Sequence, residues 1–272
     1  MSHTRNVAPW LLCALLVGCA APSDGQLPVS NLEHVCAGSA ALPVGLNLDP
    51  FYDQYCVARG LAIVASAEVP AAALERSRSI VADMLEHVPV AAVEAIVQAK
   101  VRIGVIGVDQ VTTNLPEHAD LNEAFPTIDW DERTRGVAAT PSRPLTSSAE
   151  ENLLCYPSDR YAGESVLVHE FAHTVHLQGM NAIDATFDAR LTTAYQAAMA
   201  ASLWQDTYAA TNEEEYWAEG VQSYFDVNLA SDPPDGIHNH VDTRAKLAAY
   251  DPALYALVDE VFAGAVLANP CP

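Results

Sequence analysis

His169 and His173 stand four residues apart with Glu170 directly behind the first, in the run HEFAH. At ~100° of rotation per residue, positions i and i+4 of a helix fall nearly in line, one turn apart, so both imidazoles face one point. Two neutral imidazoles placed this way can chelate a single zinc ion. Glu170 lies about a quarter turn away, where its carboxylate can reach a water in the metal's open position and act as general base.

The flanking residues put this motif on a helix with one face in the core. Val168, Phe171, Ala172 and Val175 follow the i, i+3, i+4, i+7 spacing of a buried stripe, which predicts an amphipathic helix over residues 164–177. A third ligand must come from elsewhere. The longer pattern HExxHxxGxxH would supply a histidine, but His176 and Gly179 occupy that stretch in the reverse order. The segment TNEEEYWAEGVQSYFD, residues 211–226, offers carboxylates on a second helix. Glu215 and Glu219 share a face of it, whereas Glu213 and Glu214 rotate away by roughly 200° and 100°. This assigns Glu215 to the metal, one zinc per chain, and Glu219 to orienting a histidine ligand. Glu213 and Glu214 are left to solvate the helix start and favour its dipole.

HEFAH followed, 42 residues after its second histidine, by Glu215 in EYWAE resembles the catalytic domain of anthrax lethal factor and its relatives, which include the Pro-Pro endopeptidases. In that family a tyrosine lies seven residues before the ligand glutamate, in the order Tyr, two residues, Thr, Asn, Glu, any residue, Glu. Tyr208, Thr211, Asn212, Glu213 and Glu215 match it. The likeness covers roughly residues 160–226, with a looser likeness upstream, and extends to nothing like a toxin's receptor-binding or translocation parts. It implies a gluzincin-type zinc metallopeptidase in which Tyr208 donates a hydrogen bond to the oxyanion formed as a peptide carbonyl is attacked. Two other functions fit a zinc site: hydrolysis of a non-peptide amide, and a surface binding lipoprotein that keeps zinc for structure only. Glu170 and Tyr208 weigh against the second, because neither is needed merely to hold a metal.

Other histidines read differently. His176 is two turns beyond His169, about 10 Å along a helix, and cannot join the same tetrahedral site. His238 and His240, in DPPDGIHNH, read as solvated turn residues.

The start of the chain carries an export signature. Arg5 gives a weakly basic start, residues 10–17 form a short apolar run, and Leu16, Val17, Gly18 and Cys19 match a bacterial lipoprotein cleavage box. The expected organisation is a signal peptide over residues 1–18, a lipid-modified Cys19 and flexible tether over 19–43, and a zinc metallopeptidase domain over 44–272. Ordinary secretion leads to the same compartment, outside the bacterial cytoplasm. Once Cys13 leaves with the signal and Cys19 takes lipid, four cysteines remain in an oxidising environment, where three pairings are open. Cys36 with Cys56 and Cys155 with Cys271 is favoured, the second bridge tying the C-terminus to the body.

The formal net charge is −22, and becomes −23 when Arg5 departs with an acid-free signal. Such a field repels phosphates and disfavours nucleic acid as a partner. The expected partner is a peptide or protein substrate; contact with a membrane is through the lipid anchor only, and the oligomeric state is left open. The expected fold is α+β and zincin-like: a small mixed sheet packed on the HExxH helix, then a mainly helical C-terminal lobe. Strands are expected at 61–66 and 101–108 and an edge strand along the substrate cleft at 136–140. Helices are expected at 70–87, 164–177, 182–203, 212–226, 242–249 and 251–263.

Overall fold

The computed structural model describes residues 33–37 and 40–268. The expected signal peptide, Cys19 and Cys271 lie outside the described residues. Among the described residues six strands, β1 Glu33–His34, β2 Gln54–Ala58, β3 Leu61–Ala65, β4 Arg102–Ile106, β5 Gly136–Val137 and β6 Leu145–Ala149, form one mixed sheet. Their order is β1-β2-β3-β4-β6-β5. β2 and β3 make a hairpin across Arg59 and Gly60, both at positive φ, the conformation a two-residue turn needs to match strand twist. β3, β4 and β6 run parallel, which requires crossovers, and helices α1 Ala71–Met84 and α2 Val90–Gln98 supply the first. β5 returns antiparallel to β6 and forms the edge, pairing only Gly136 and Val137 rather than the longer stretch expected.

Helices follow in two groups. The first three are single turns, α3 Leu121–Ala124, α4 Trp130–Arg133 and α5 Glu150–Leu153. Then come α6 Val166–Thr174, α7 Asn181–Ile183, α8 Phe187–Ala200, α9 Glu213–Tyr224, α10 Arg244–Tyr250 and α11 Pro252–Phe262. The expected helix at 164–177 is α6 continued by a π-helical turn, Val175–Met180. The one expected at 182–203 is shorter, because Asp184 is extended and α8 begins only at Phe187.

Two apolar layers hold the sheet. On one face Leu61, Ile63, Ile103 and Val105 meet Leu74 and Met84 of α1 and Leu167 and Phe171 of α6. On the other, Ala62, Val64, Ile106 and Leu145 are covered by Tyr52 and Leu115. β3 is therefore buried on both sides, as its unbroken apolar run LAIVA requires. α9 crosses behind α6, pinned by Trp217, whose Nε1 donates to the Ala172 carbonyl at 2.9 Å. Cys36 and Cys56 form a disulfide. Cys155 is disulfide-bonded as well. Among the described residues no helix is long and apolar enough to cross a membrane.

Candidate metal centre

α6 is set at its first turn by Asn152 of α5. The Asn152 amide donates to the Glu164 carbonyl at 2.8 Å and its Oδ1 accepts from Val166 N–H at 2.9 Å, while Ser165 caps the helix. Val166, Leu167, Val168, Phe171 and Ala172 are buried, which turns His169, Glu170 and His173 toward α9. The start of α9 is fixed by Asn212, whose Oδ1 accepts from Glu215 N–H at 2.8 Å. Glu215 therefore sits in the first turn, facing the histidines.

Three atoms converge there. His169 Nε2 lies 3.2 Å from His173 Nε2 and 3.0 Å from Glu215 Oε2, and His173 Nε2 lies 3.4 Å from the same oxygen. Ligands bonded at ~2.0–2.1 Å around a tetrahedral zinc ion stand about 3.3–3.4 Å apart, so the triangle has the dimensions of a zinc site. The donor set of two imidazoles and one carboxylate suits the same ion. His173 Nδ1 is buried without a hydrogen-bond partner among the described residues, which leaves Nε2, aimed into the triangle, as that ring's engaged nitrogen.

His169 is oriented from behind. Its Nδ1 lies 2.8 Å from Gln222 Oε1, and an amide oxygen can only accept, so Nδ1 carries a proton and Nε2 is the nitrogen left to a metal once the ring is neutral. Glu219, expected in this role, has Oε1 at 3.6 Å from Nδ1, beyond hydrogen-bond reach. Its other oxygen accepts from Asn228 Nδ2 at 3.0 Å. The direct partner is thus Gln222, which sequence reasoning missed although it is seven residues after Glu215 and so on the same helix face.

Tyr208 begins a 3₁₀ turn, Tyr208–Ala210, just before α9. Its hydroxyl donates to Glu215 Oε1 at 3.0 Å, and its ring lies over His169 with centroids 6.1 Å apart. Burial and the neighbouring Glu215 push its pKa up, so the phenol keeps its proton at any ordinary pH.

Glu170 faces the sheet edge, where Ala138 N–H donates to its carboxylate. Burial raises its pKa, with His169 and His173 opposing. A base whose pKa rises toward neutrality accepts a proton more readily. The edge reaches Glu170 because position 136 is glycine. A Cβ there would lie 2.4 Å from Val166 Cγ1, 2.8 Å from the Ser147 carbonyl and 3.2 Å from Glu170 Cγ. Buried Arg135 anchors the same edge by forking onto Glu151, at 2.6 and 2.9 Å, and reaching the Gly107 and Gln110 carbonyls. Gly136→Ala should cost about 1–3 kcal/mol of stability by overpacking and displace Glu170. Thermal unfolding reads the first effect; a fall in turnover at unchanged zinc content reads the second.

His169 and Glu215 shift each other's protonation. Burial would lower the His169 pKa, but the hydrogen bond to Glu215 and the charges of Glu170, Glu219 and Glu215 outweigh it and raise it to about 10. Burial conversely would raise Glu215, and the two histidines hold it far below the carboxylate range. A proton on His169 thus occupies the place a metal would take.

The remaining histidines fall outside the triangle. His176 is buried against Phe187 and Trp217 and pairs with Asp188 at 2.6 Å. His240 is exposed beside Tyr250, as a turn residue would be. His238 is not solvated: it is buried, with Nε2 at 3.3 Å from Glu164 Oε2. A second grouping of ligand-type residues among those described, Cys36, Cys56 and Glu75, has its two sulfurs joined to each other.

No protein-family model matches the chain, and no curated protein does. A solved structure similar to it is the Pro-Pro endopeptidase PPEP-2 from Paenibacillus alvei, at 20% identity and a TM-score of 0.49, covering 74% of this chain and 97% of that one. At that similarity the neighbour says nothing of this chain's chemistry.

Proposed function

We propose that the chain is a zinc-dependent endopeptidase of the gluzincin type with a zincin-like fold. The observation that carries the reading is the 3.0–3.4 Å triangle of His169, His173 and Glu215 with Glu170 and Tyr208 beside it. A bound zinc ion would supply a Lewis acid that polarises a carbonyl and acidifies water. Glu170 takes the proton of the attacking water, helped by its burial-raised pKa, and returns it to the leaving amine nitrogen. Tyr208 keeps its proton and transfers its hydrogen bond from Glu215 Oε1 to the oxyanion as the carbonyl becomes tetrahedral. Gln222 holds His169 in the tautomer and orientation this requires. β5, the edge strand beside Glu170, is suited to pair with an extended substrate by main-chain hydrogen bonds.

The chain works outside the cytoplasm in this reading, anchored by lipid on Cys19 or secreted. The Cys36–Cys56 disulfide fits an oxidising compartment.

A chain beginning at Ala20, loaded with zinc and offered a diverse peptide library, tests the function, with Glu170→Gln as control. Cleavage by the parent alone supports a peptidase; cleavage of small amides and of no peptide favours a non-peptide substrate. Tyr208→Phe should lower kcat by about 10²–10³-fold and leave KM nearly unchanged, because the lost bond forms only in the transition state. Steady-state kinetics on a cleaved library member would measure it.

A further inference from the structure

Tyr208 enters the site at the end of a lead-in with three residues in a left-handed backbone conformation. Ser202, Trp204 and Asp206 all have left-handed backbones, with φ of 59°, 59° and 57°. Non-glycine residues reach that region at a steric cost and stay there only when their surroundings hold them. Much of the hold on Asp206 and Tyr208 comes from one segment, residues 227–241. Gly236 N–H donates to the Asp206 carbonyl at 3.1 Å, and Tyr208 N–H donates to the Ile237 carbonyl at 2.8 Å.

The same segment is sewn to the histidine helix. Ser165 N–H, at the α6 cap, donates to the Val227 carbonyl at 3.1 Å. His238, the residue after Ile237, turns inward and is 7% exposed, with Nε2 at 3.3 Å from Glu164 Oε2. Glu164 immediately precedes the α6 cap. Asp235 shapes the turn that aims His238 inward, its Oδ1 accepting from Ile237 and His238 N–H at 2.9 and 2.7 Å. A bond between Ser231 N–H and the Asn239 carbonyl, 2.7 Å, closes the segment on itself.

We infer that His238 is a positioning residue: latched onto Glu164, it fixes the 227–241 strap and, through the Ile237 carbonyl, sets Tyr208 in register with the helix that carries His169 and His173. The latch refers Tyr208 to α6 and not merely to its own neighbour α9. Its kinetic consequence rests on the peptidase reading; its structural consequence does not. Removing it should leave the ligand triangle intact while letting the oxyanion donor drift.

The test uses the zinc-loaded chain carrying His238→Leu or His238→Gln, each in the parent and in the Tyr208→Phe background. His238→Leu is expected to lower kcat about tenfold or more with KM and zinc content unchanged. His238→Gln, whose amide nitrogen can occupy the Nε2 position, should recover most of the loss. In the Tyr208→Phe background, His238→Leu should add less than about twofold, because the two act as one unit. Independently of turnover, hydrogen exchange at the Tyr208 amide should accelerate about tenfold or more in His238→Leu, with α6 amides unchanged. Should His238→Leu fail to fold, Glu164→Ala removes the latch from the opposite side and is read in the same way. Additive losses with Tyr208→Phe, or an unchanged Tyr208 amide, overturn the inference. If the parent cleaves nothing, the peptidase reading falls, and the exchange measurement alone decides whether the strap registers Tyr208.

Discussion

Glu215→Ala should abolish stoichiometric zinc binding under conditions that saturate the parent chain. The substitution removes the carboxylate on which both imidazoles converge, at 3.0 and 3.4 Å, and leaves His169 and His173 facing each other alone. If about 10–16 kcal/mol of apparent affinity is shared among the ligands of a zinc site, losing one should weaken binding by on the order of 10³-fold. Binding is also proton-linked, and its sign follows from His169. Against burial, the hydrogen bond to Glu215 and the neighbouring carboxylates raise that imidazole's pKa to about 10, so below that pH zinc must displace its proton. Apparent affinity should rise about tenfold per pH unit through neutrality and flatten toward pH 10. Calorimetric zinc titrations in buffers of different ionisation enthalpy would count the proton released. Binding that is independent of pH between 6 and 9 would show that another set of groups takes the metal.

Glu170→Gln separates chemistry from architecture. Glu170 is not part of the ligand triangle, and the substituted amide keeps the volume and one acceptor oxygen for Ala138 N–H. Zinc content and thermal stability should therefore match the parent. Peptide cleavage should fall by about 10²–10⁴-fold, the range for loss of a positioned general base. Turnover needs the ionised form of Glu170 and is lost as pH falls through its pKa, so kcat/KM should show an acid limb. Measuring kcat/KM against pH on the parent enzyme reads this limb. A Glu170→Gln variant that cuts at the parental rate would remove Glu170 from the mechanism.

The triangle of His169, His173 and Glu215 is legible in the sequence because each part is encoded locally. His169, His173 and the apolar stripe beside them obey one helical period, and Glu215 stands out by its face on a second helix. The features that are not legible depend on partners distant in the chain. β6 reads Leu-Thr-Ser-Ser-Ala, with no strand-like alternation, yet lies inside the sheet between β4 and β5. Two of its hydroxyls are satisfied by tertiary bonds, Thr146 to Thr174 at 2.6 Å and Ser147 to His118 at 3.0 Å, and such bonds leave no mark on hydropathy. His238 looked solvated because it sits among Asp and Pro; its burial comes from Glu164, 74 residues earlier. Glu219 and Gln222 both lie near the His169 side of α9, and only side-chain reach separates the one that bonds from the one 3.6 Å away. α2 is apolar over most of its length, but only Ala92 and Ile96 are buried, so it lacks the broad stripe that would announce a helix.

Zinc-edge X-ray absorption on the chain beginning at Ala20, loaded with one equivalent of zinc, addresses the triangle itself. Two imidazoles with the remaining donors all oxygen, at ~2.0–2.1 Å, are expected, and one imidazole signature should vanish in His173→Ala. Sulfur scattering near ~2.3 Å, or a spectrum unaltered by His173→Ala, would contradict the assignment of His169, His173 and Glu215 as the zinc ligands.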